Sequence, residues 1–143
     1  MTMIDKQQTL VDELLGKLKA VPNFGQHVFE DSTMRVIDEG DASLPDYFIV
    51  LQTGQTDEVE RVGSKSLRER VVLNITLVTR KRDYAAELRA GRLHVKKLLA
   101  GRNAGLIQSQ SASFLAESPI QPASGNVFAA HVMPLQITYV QNY

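Results

Sequence analysis

From Tyr47 to Leu77 the chain reads YFIVLQTGQTDEVERVGSKSLRERVVLNITL, two apolar runs on either side of a charged interval. The first run, Tyr47-Phe48-Ile49-Val50-Leu51, has the length and the β-forming composition of a buried strand; Leu44-Pro45-Asp46 leads into it and Thr53-Gly54 predicts its exit. In the second run Val71, Leu73, Ile75 and Leu77 alternate with Val72, Asn74 and Thr76, the pattern of a strand with one inner face. No helix-length segment separates the two runs, so an antiparallel pair joined by a long extended hairpin is the natural connection. The polar interval 54–66 should form its projecting tip.

Helical patterns flank this pair. Over residues 5–20, Val11, Leu14, Leu15 and Leu18 recur at i, i+3, i+4 and i+7, and Val21-Pro22 supplies the stop. Residues 26–30 and 34–37 alternate weakly around the turn-forming Asp31-Ser32-Thr33 and read as a short strand or broken hairpin. Asp83 can cap a second helix with Tyr84, Leu88, Val95, Leu98 and Leu99 on one side, and Gly101 is placed to close it. Residues 112–116 and 127–140 read as two C-terminal strands, Met133, Leu135, Ile137 and Tyr139 alternating in the second, joined by a proline- and glycine-bearing loop over 118–126. Pro134 cannot donate to a ladder and predicts a bulge or an edge. The sum is an α+β fold: an N-terminal helix, a mainly antiparallel sheet with a long extended hairpin, a second helix and two C-terminal strands, in one domain over residues 1–143.

At 143 residues and 43% hydrophobic content, the chain can bury one core, and the absence of cysteine excludes disulfides, thiolate metal sites and cysteine nucleophiles. No leader-type or membrane-spanning apolar stretch is present, which predicts a protein made and kept in a cytoplasm and no membrane partner. Its charge is balanced overall and sharply segregated along the chain. Residues 1–60 carry four bases against twelve acids, a net of −8; residues 61–102 carry twelve bases against three acids, a net of +9. Residues 103–143 hold a single charged side chain, Glu117, a composition that predicts burial or a covered interface.

Catalytic patterns are missing. His27, His94 and His131 lie far apart and outside any HExxH arrangement, and the serines form no nucleophile elbow or triad spacing. Asp38-Glu39-Gly40-Asp41 lacks the twelve-residue ligand pattern of a calcium loop, and Gly101-Arg102-Asn103-Ala104-Gly105 follows a helix where a phosphate loop must precede one. The sequence therefore predicts no enzyme, no catalytic residue, no metal and no cofactor. Two charged groups remain as a candidate assembly interface: Asp57, Glu58, Glu60 and Arg61 on the hairpin, and Arg80, Arg82, Arg89, Arg92 and Lys96 at the start and on the flank of the second helix. A solvated helix face or a nucleic-acid-binding α+β module would show a similar basic flank, although Tyr84 is the only aromatic near it. An acidic portion and a basic portion within one protomer also suit head-to-tail association, the heterologous contact that generates rings.

In order and texture, the helix 9–21 with Pro22, Leu44-Pro45-Asp46-Tyr47-Phe48-Ile49-Val50-Leu51, the charged extension through Gly63-Ser64, Arg70-Val71-Val72-Leu73-Asn74-Ile75-Thr76-Leu77-Val78, the helix after Asp83-Tyr84, and Leu135-Gln136-Ile137-Thr138-Tyr139-Val140 together resemble a known family. It is that of the small tail terminator, or tail completion, proteins of long-tailed bacteriophages, including prophage and tail-like relatives. The resemblance spans nearly the whole chain and implies a structural virion protein. Such a protein would form a homo-oligomeric ring, a hexamer, capping the tail tube, ending its growth and presenting a surface to a neck or head-completion protein. Genome DNA would pass through the ring without sequence-specific binding, and the protein would lie at the head-proximal end of the tail after assembly in the bacterial cytoplasm. Another head-tail connector or tube-like ring component would share these features.

Overall fold

A computed structural model describes residues 3–39, 43–123 and 125–143. The elements run α1 (Lys6–Leu18), a 3-10 turn (Phe24–Gln26), β1 (Val28–Glu30), α2 (Thr33–Glu39), β2 (Tyr47–Gly63), β3 (Ser66–Thr79), α3 (Tyr84–Leu98), β4 (Ser111–Phe114), β5 (Ser118–Ile120) and β6 (Ala129–Asn142). The strands form one sheet in the order β1-β2-β3-β6-β4, with β5 also paired to β6. All pairings are antiparallel except β1 on β2. The architecture is α+β, as the sequence predicts.

Thr53-Gly54 does not end the first long strand. The ladder continues to Gly63↔Ser66, with shifts of register between Thr53 and Thr56, Glu58 and Glu60, and Arg61 and Gly63. Gly54 marks the first irregularity, where a Cβ would come within 3.0 Å of the Val72 carbonyl oxygen. The whole of β3 also pairs with β6, from Thr79↔Ala129 to Ser66↔Asn142. The interval 54–66 is thus not a loop; it is one side of a three-stranded arm. A lone hairpin of this length would be marginal in water, and the third strand stiffens it.

Side-chain alternation divides the core by face. Ile49, Leu51, Leu73, Ile75, Leu77, Met133, Leu135 and Ile137 point to one face and bury Leu10, Leu14 and Leu18 of α1 and Leu88 and Val95 of α3. Phe48, Val50, Val78 and Ala130 point to the other, where Val36 and Ile37 of α2 and Phe128 cover them. Consequently α2 and α3 lie on opposite faces of the sheet.

Three local expectations need correction and a fourth is narrowed. Residues 34–37 are helical: α2 is too short to display a helical period, and Val36 and Ile37 are buried on Phe48 and Val50. Residues 28–30 pair in parallel with β2 and form no hairpin with the following segment. There are three C-terminal strands, because Ser118–Ile120, within the expected loop, pairs with β6. Finally, of the bulge or edge expected at Pro134 only the edge is found: the proline stays in register opposite Asn74. Its carbonyl accepts from the Leu115 N–H at 2.9 Å, so its donorless nitrogen faces the same edge of β6, in the interval between β4 and β5.

The helix ends follow the sequence in part. The Gln8 N–H donates to the Asp5 side chain at 3.2 Å and caps α1. Asp83 precedes α3 without a side-chain cap; its backbone carbonyl accepts from the Ala86 and Glu87 N–H groups. Gly101, just beyond α3, adopts φ +108°, which favours glycine there.

Tyr139 joins the arm to α1. Its buried hydroxyl donates to Glu69 Oε1 at 3.0 Å and accepts from Gln7 Nε2 at 2.9 Å. Desolvation, with the Glu69 carboxylate adding to it and outweighing the Gln7 hydrogen bond, pushes the phenol up to about 12. Tyr139→Phe is expected to lower unfolding free energy by about 1 kcal/mol, because Gln7 and Glu69 can turn to water after losing their partner. Urea denaturation measures it.

Candidate assembly interface

The structure separates the charged residues expected to act together. On the arm the charges pair mainly with each other. Asp57 faces Arg70 at 3.6 Å, Glu58 faces Arg61 at 3.5 Å, and Glu60 pairs with Arg68 across the ladder. Arg68 Nε also donates to Gln110 Oε1 at 2.9 Å, and Arg61 reaches the Tyr143 hydroxyl at 2.6 Å. These pairs are largely exposed, and each contributes about 0 to 1 kcal/mol. They leave the arm close to electrically neutral, with Val59 and Val62 exposed among them. Beyond Leu51, the last β2 residue paired with β1, β2 has no second neighbour among the described residues, and its outer edge is open.

The basic group divides further. Arg80 and Lys81 hold Asp46 at 2.8 and 3.4 Å, and hydrogen bonds from Arg80 and then Lys81 lower that carboxyl below its ordinary range. The Arg80 guanidinium also lies 5.9 Å from the centre of the Phe128 ring. Arg92 and Lys96, one turn apart on α3, turn inward to Glu117. Arg92 donates to both carboxylate oxygens at 2.5 and 3.2 Å, and Lys96 lies at 3.0 Å. His131 of β6 completes the cluster at 2.7 Å. Burial alone would raise the Glu117 carboxyl, but the combined hydrogen bonds from Arg92, His131 and Lys96 prevail and lower it to about 2.

The Glu117 group therefore fastens the link between β4 and β5 to α3. A carboxylate ionised at neutral pH and so surrounded by donors is a structural acceptor and offers no poised acid or base. No group of three or more His, Asp or Glu side chains suited to a metal occurs among the described residues, and no helix of the described residues is long and apolar enough to cross a membrane. Part of the Asp38-Glu39-Gly40-Asp41 stretch lies outside the described residues.

Of the expected basic group, Arg82 and Arg89 remain exposed without an ion-pair partner among the described residues. Sequence reasoning missed Lys97, which lies two turns after Arg89 on the outer side of α3 with the exposed Leu93 between them. It also missed the role of Glu117, for which its isolation in an uncharged stretch was the available signal. That stretch has its own cover: residues 129–142 form an interior strand between β3 and β4, with one face buried on α1 and α3.

No protein-family model matches this sequence, and no curated protein matches it. Solved structures do. A chain from the virion of a native gene transfer agent particle shares the fold at TM-score 0.58 and 15% identity, over 94% of this chain and 91% of the other. The PVC sheath/tube terminator of an extracellular contractile injection system, in its extended state, matches over 100% of this chain at TM-score 0.60 and 7% identity. This chain spans 58% of the length of that terminator. At such identities the likeness is one of fold.

Proposed function

We propose that this chain is a structural tail protein that forms a homohexameric ring on the end of a tail tube, halts tube growth and presents its far side to a neck or head-completion protein. The observation that carries the reading is the match of the entire chain to the fold of a sheath/tube terminator. The three-stranded arm, open along β2, and the unpaired cations of α3 supply surfaces for neighbours. In this role the protein sits at the head-proximal end of a virion tail, with genome DNA passing through the ring, and needs no catalysis and no cofactor. Of the charges expected at the interface, Arg82 and Arg89 are available to a neighbour without first breaking an internal pair, and Lys97 joins them on α3.

Light scattering on the size-separated protein tests the reading. A particle of six times 15.9 kDa is expected, and added tail tube protein should yield tubes that bind the ring at one end and stop lengthening. A monomer that neither associates nor arrests tubes overturns it. A monomer that binds DNA with steeply salt-dependent affinity would instead mark the α3 cations as a nucleic-acid surface.

A further inference from the structure

The exposed surfaces of α2 and α3 have opposite charge. Along the outside of α3, Arg89, Leu93 and Lys97 follow one another at four-residue spacing, one ridge of the helix, beside Ala86 and Ala90, which are small and exposed. Leu93 is 62% exposed and lies between two cations that have no ion-pair partner among the described residues. The outside of α2 has the inverse composition. Met34, 53% exposed, and Asp38 lie one turn apart, with the exposed Glu39 beside them. Arg35 is the cation of that helix, and Asp31 and Glu39 occupy it. Asp38 remains unpaired among the described residues.

We infer that the α3 ridge of one protomer docks on the α2 surface of the next copy of this chain. Leu93 then meets Met34, and Arg89 and Lys97 meet Asp38 and the exposed carboxylate of Glu39. Because α2 and α3 cover opposite faces of one sheet, the two surfaces cannot meet within a protomer. Contact between them is heterologous: every copy offers one surface and receives the other, the arrangement that closes into a ring when the rotation per step permits. The apolar pair supplies the desolvated centre and the charges set the register at the rim. Arg92 and Lys96 take no part, since Glu117 holds them. This inference rests on the self-association in the proposed function and names the surfaces that carry it.

A charge exchange tests it. Variant one carries Arg89→Glu and Lys97→Glu; variant two carries Asp38→Lys and Glu39→Lys. All four side chains are exposed, so both variants should fold, as circular dichroism can verify. Each alone presents like charges to its own copies, and its association constant should fall at least about tenfold at low salt. Mixed in equal amounts, each variant offers what the other lacks, and association should return with the two alternating one to one in native mass spectra. Wild-type association in either variant alone, or no recovery on mixing, overturns this docking and leaves the ring reading standing. A wild-type chain that remains monomeric overturns both.

Discussion

Glu117→Ala should unfold with about 2 kcal/mol less stability than the wild type at pH 7, and that difference should fade in acid. The substitution leaves Arg92 and Lys96 gathered beside His131 with no anion among them. A wholly buried pair stripped of one partner loses about 3 to 5 kcal/mol, whereas exposed pairs contribute about 0 to 1. Glu117 is 14% exposed while Arg92 is 38% exposed, so the value falls between these limits. The pH dependence has a definite sign. The carboxyl goes from 4.5 unfolded to about 2 folded, so its contribution is complete above about pH 4.5 and disappears as pH falls toward 2. Glu117→Gln, which retains the shape and one acceptor, should recover only part of the loss. Urea midpoints at pH 7 and pH 2.5 decide the matter. Equal midpoints for wild type and Glu117→Ala at pH 7, or a gap undiminished at pH 2.5, would show that the cluster does not hold α3 to the sheet.

How far such a cluster can be read in advance depends on whether its signal is local. Alternation in Val71, Leu73, Ile75 and Leu77 reveals a strand because a single segment states which face is buried, and the Val11, Leu14, Leu15, Leu18 stripe does the same for α1. Pairing is different. Nothing in residues 28–30 indicates a parallel partner in Ile49, Val50 and Leu51, and nothing in Ser118-Pro119-Ile120 indicates the side of β6. Both are short strands whose order comes from the neighbour that holds them.

The candidate interface followed the same rule. Net charge by segment distinguishes an acidic and a basic portion of the chain, but neutralisation depends on register. Asp57 lies opposite Arg70, and Glu60 opposite Arg68, only because the ladder shifts at particular places along β2. Likewise Arg92 and Lys96 have helical spacing that suits a solvated flank, yet a carboxylate from the link after β4 draws them inward. What the sequence placed on one basic surface divides into cations with internal partners, Arg80, Arg92 and Lys96, and the exposed Arg82 and Arg89.

Three glycines should respond to alanine in opposite directions, with Gly25→Ala among the most damaging single substitutions in the protein. A Cβ on Gly25 would lie 2.5 Å from the Lys19 carbonyl oxygen and 2.7 Å from that of Leu18, both backbone atoms at the end of α1. Relief would require the 3-10 turn to retreat, but Phe24 prevents that. Its ring is buried, meets Tyr47 edge-on at 5.1 Å between centroids, and occupies the space that Gly91 leaves open on α3. A loss of about 3 kcal/mol or more is therefore expected for Gly25→Ala, at the upper end for overpacked sites. At Gly91 the added methyl would meet Phe24 Cε2 at 2.7 Å and Leu77 Cδ1 at 3.1 Å. Alanine gains about 1 kcal/mol of helix propensity there against about 1 to 3 of strain, a net loss of about 1. Gly16 is exposed within α1, and a methyl added there would have nothing within 4 Å, so only the gain remains and Gly16→Ala should stabilise by about 0.5 to 1 kcal/mol. Because Gly25 and Gly91 confine the same ring, their double variant should depart from additivity, whereas Gly16→Ala should add to either. Denaturation midpoints that rank Gly25→Ala at or above the wild type would mean that the turn after α1 does not cross the helix end as closely as described.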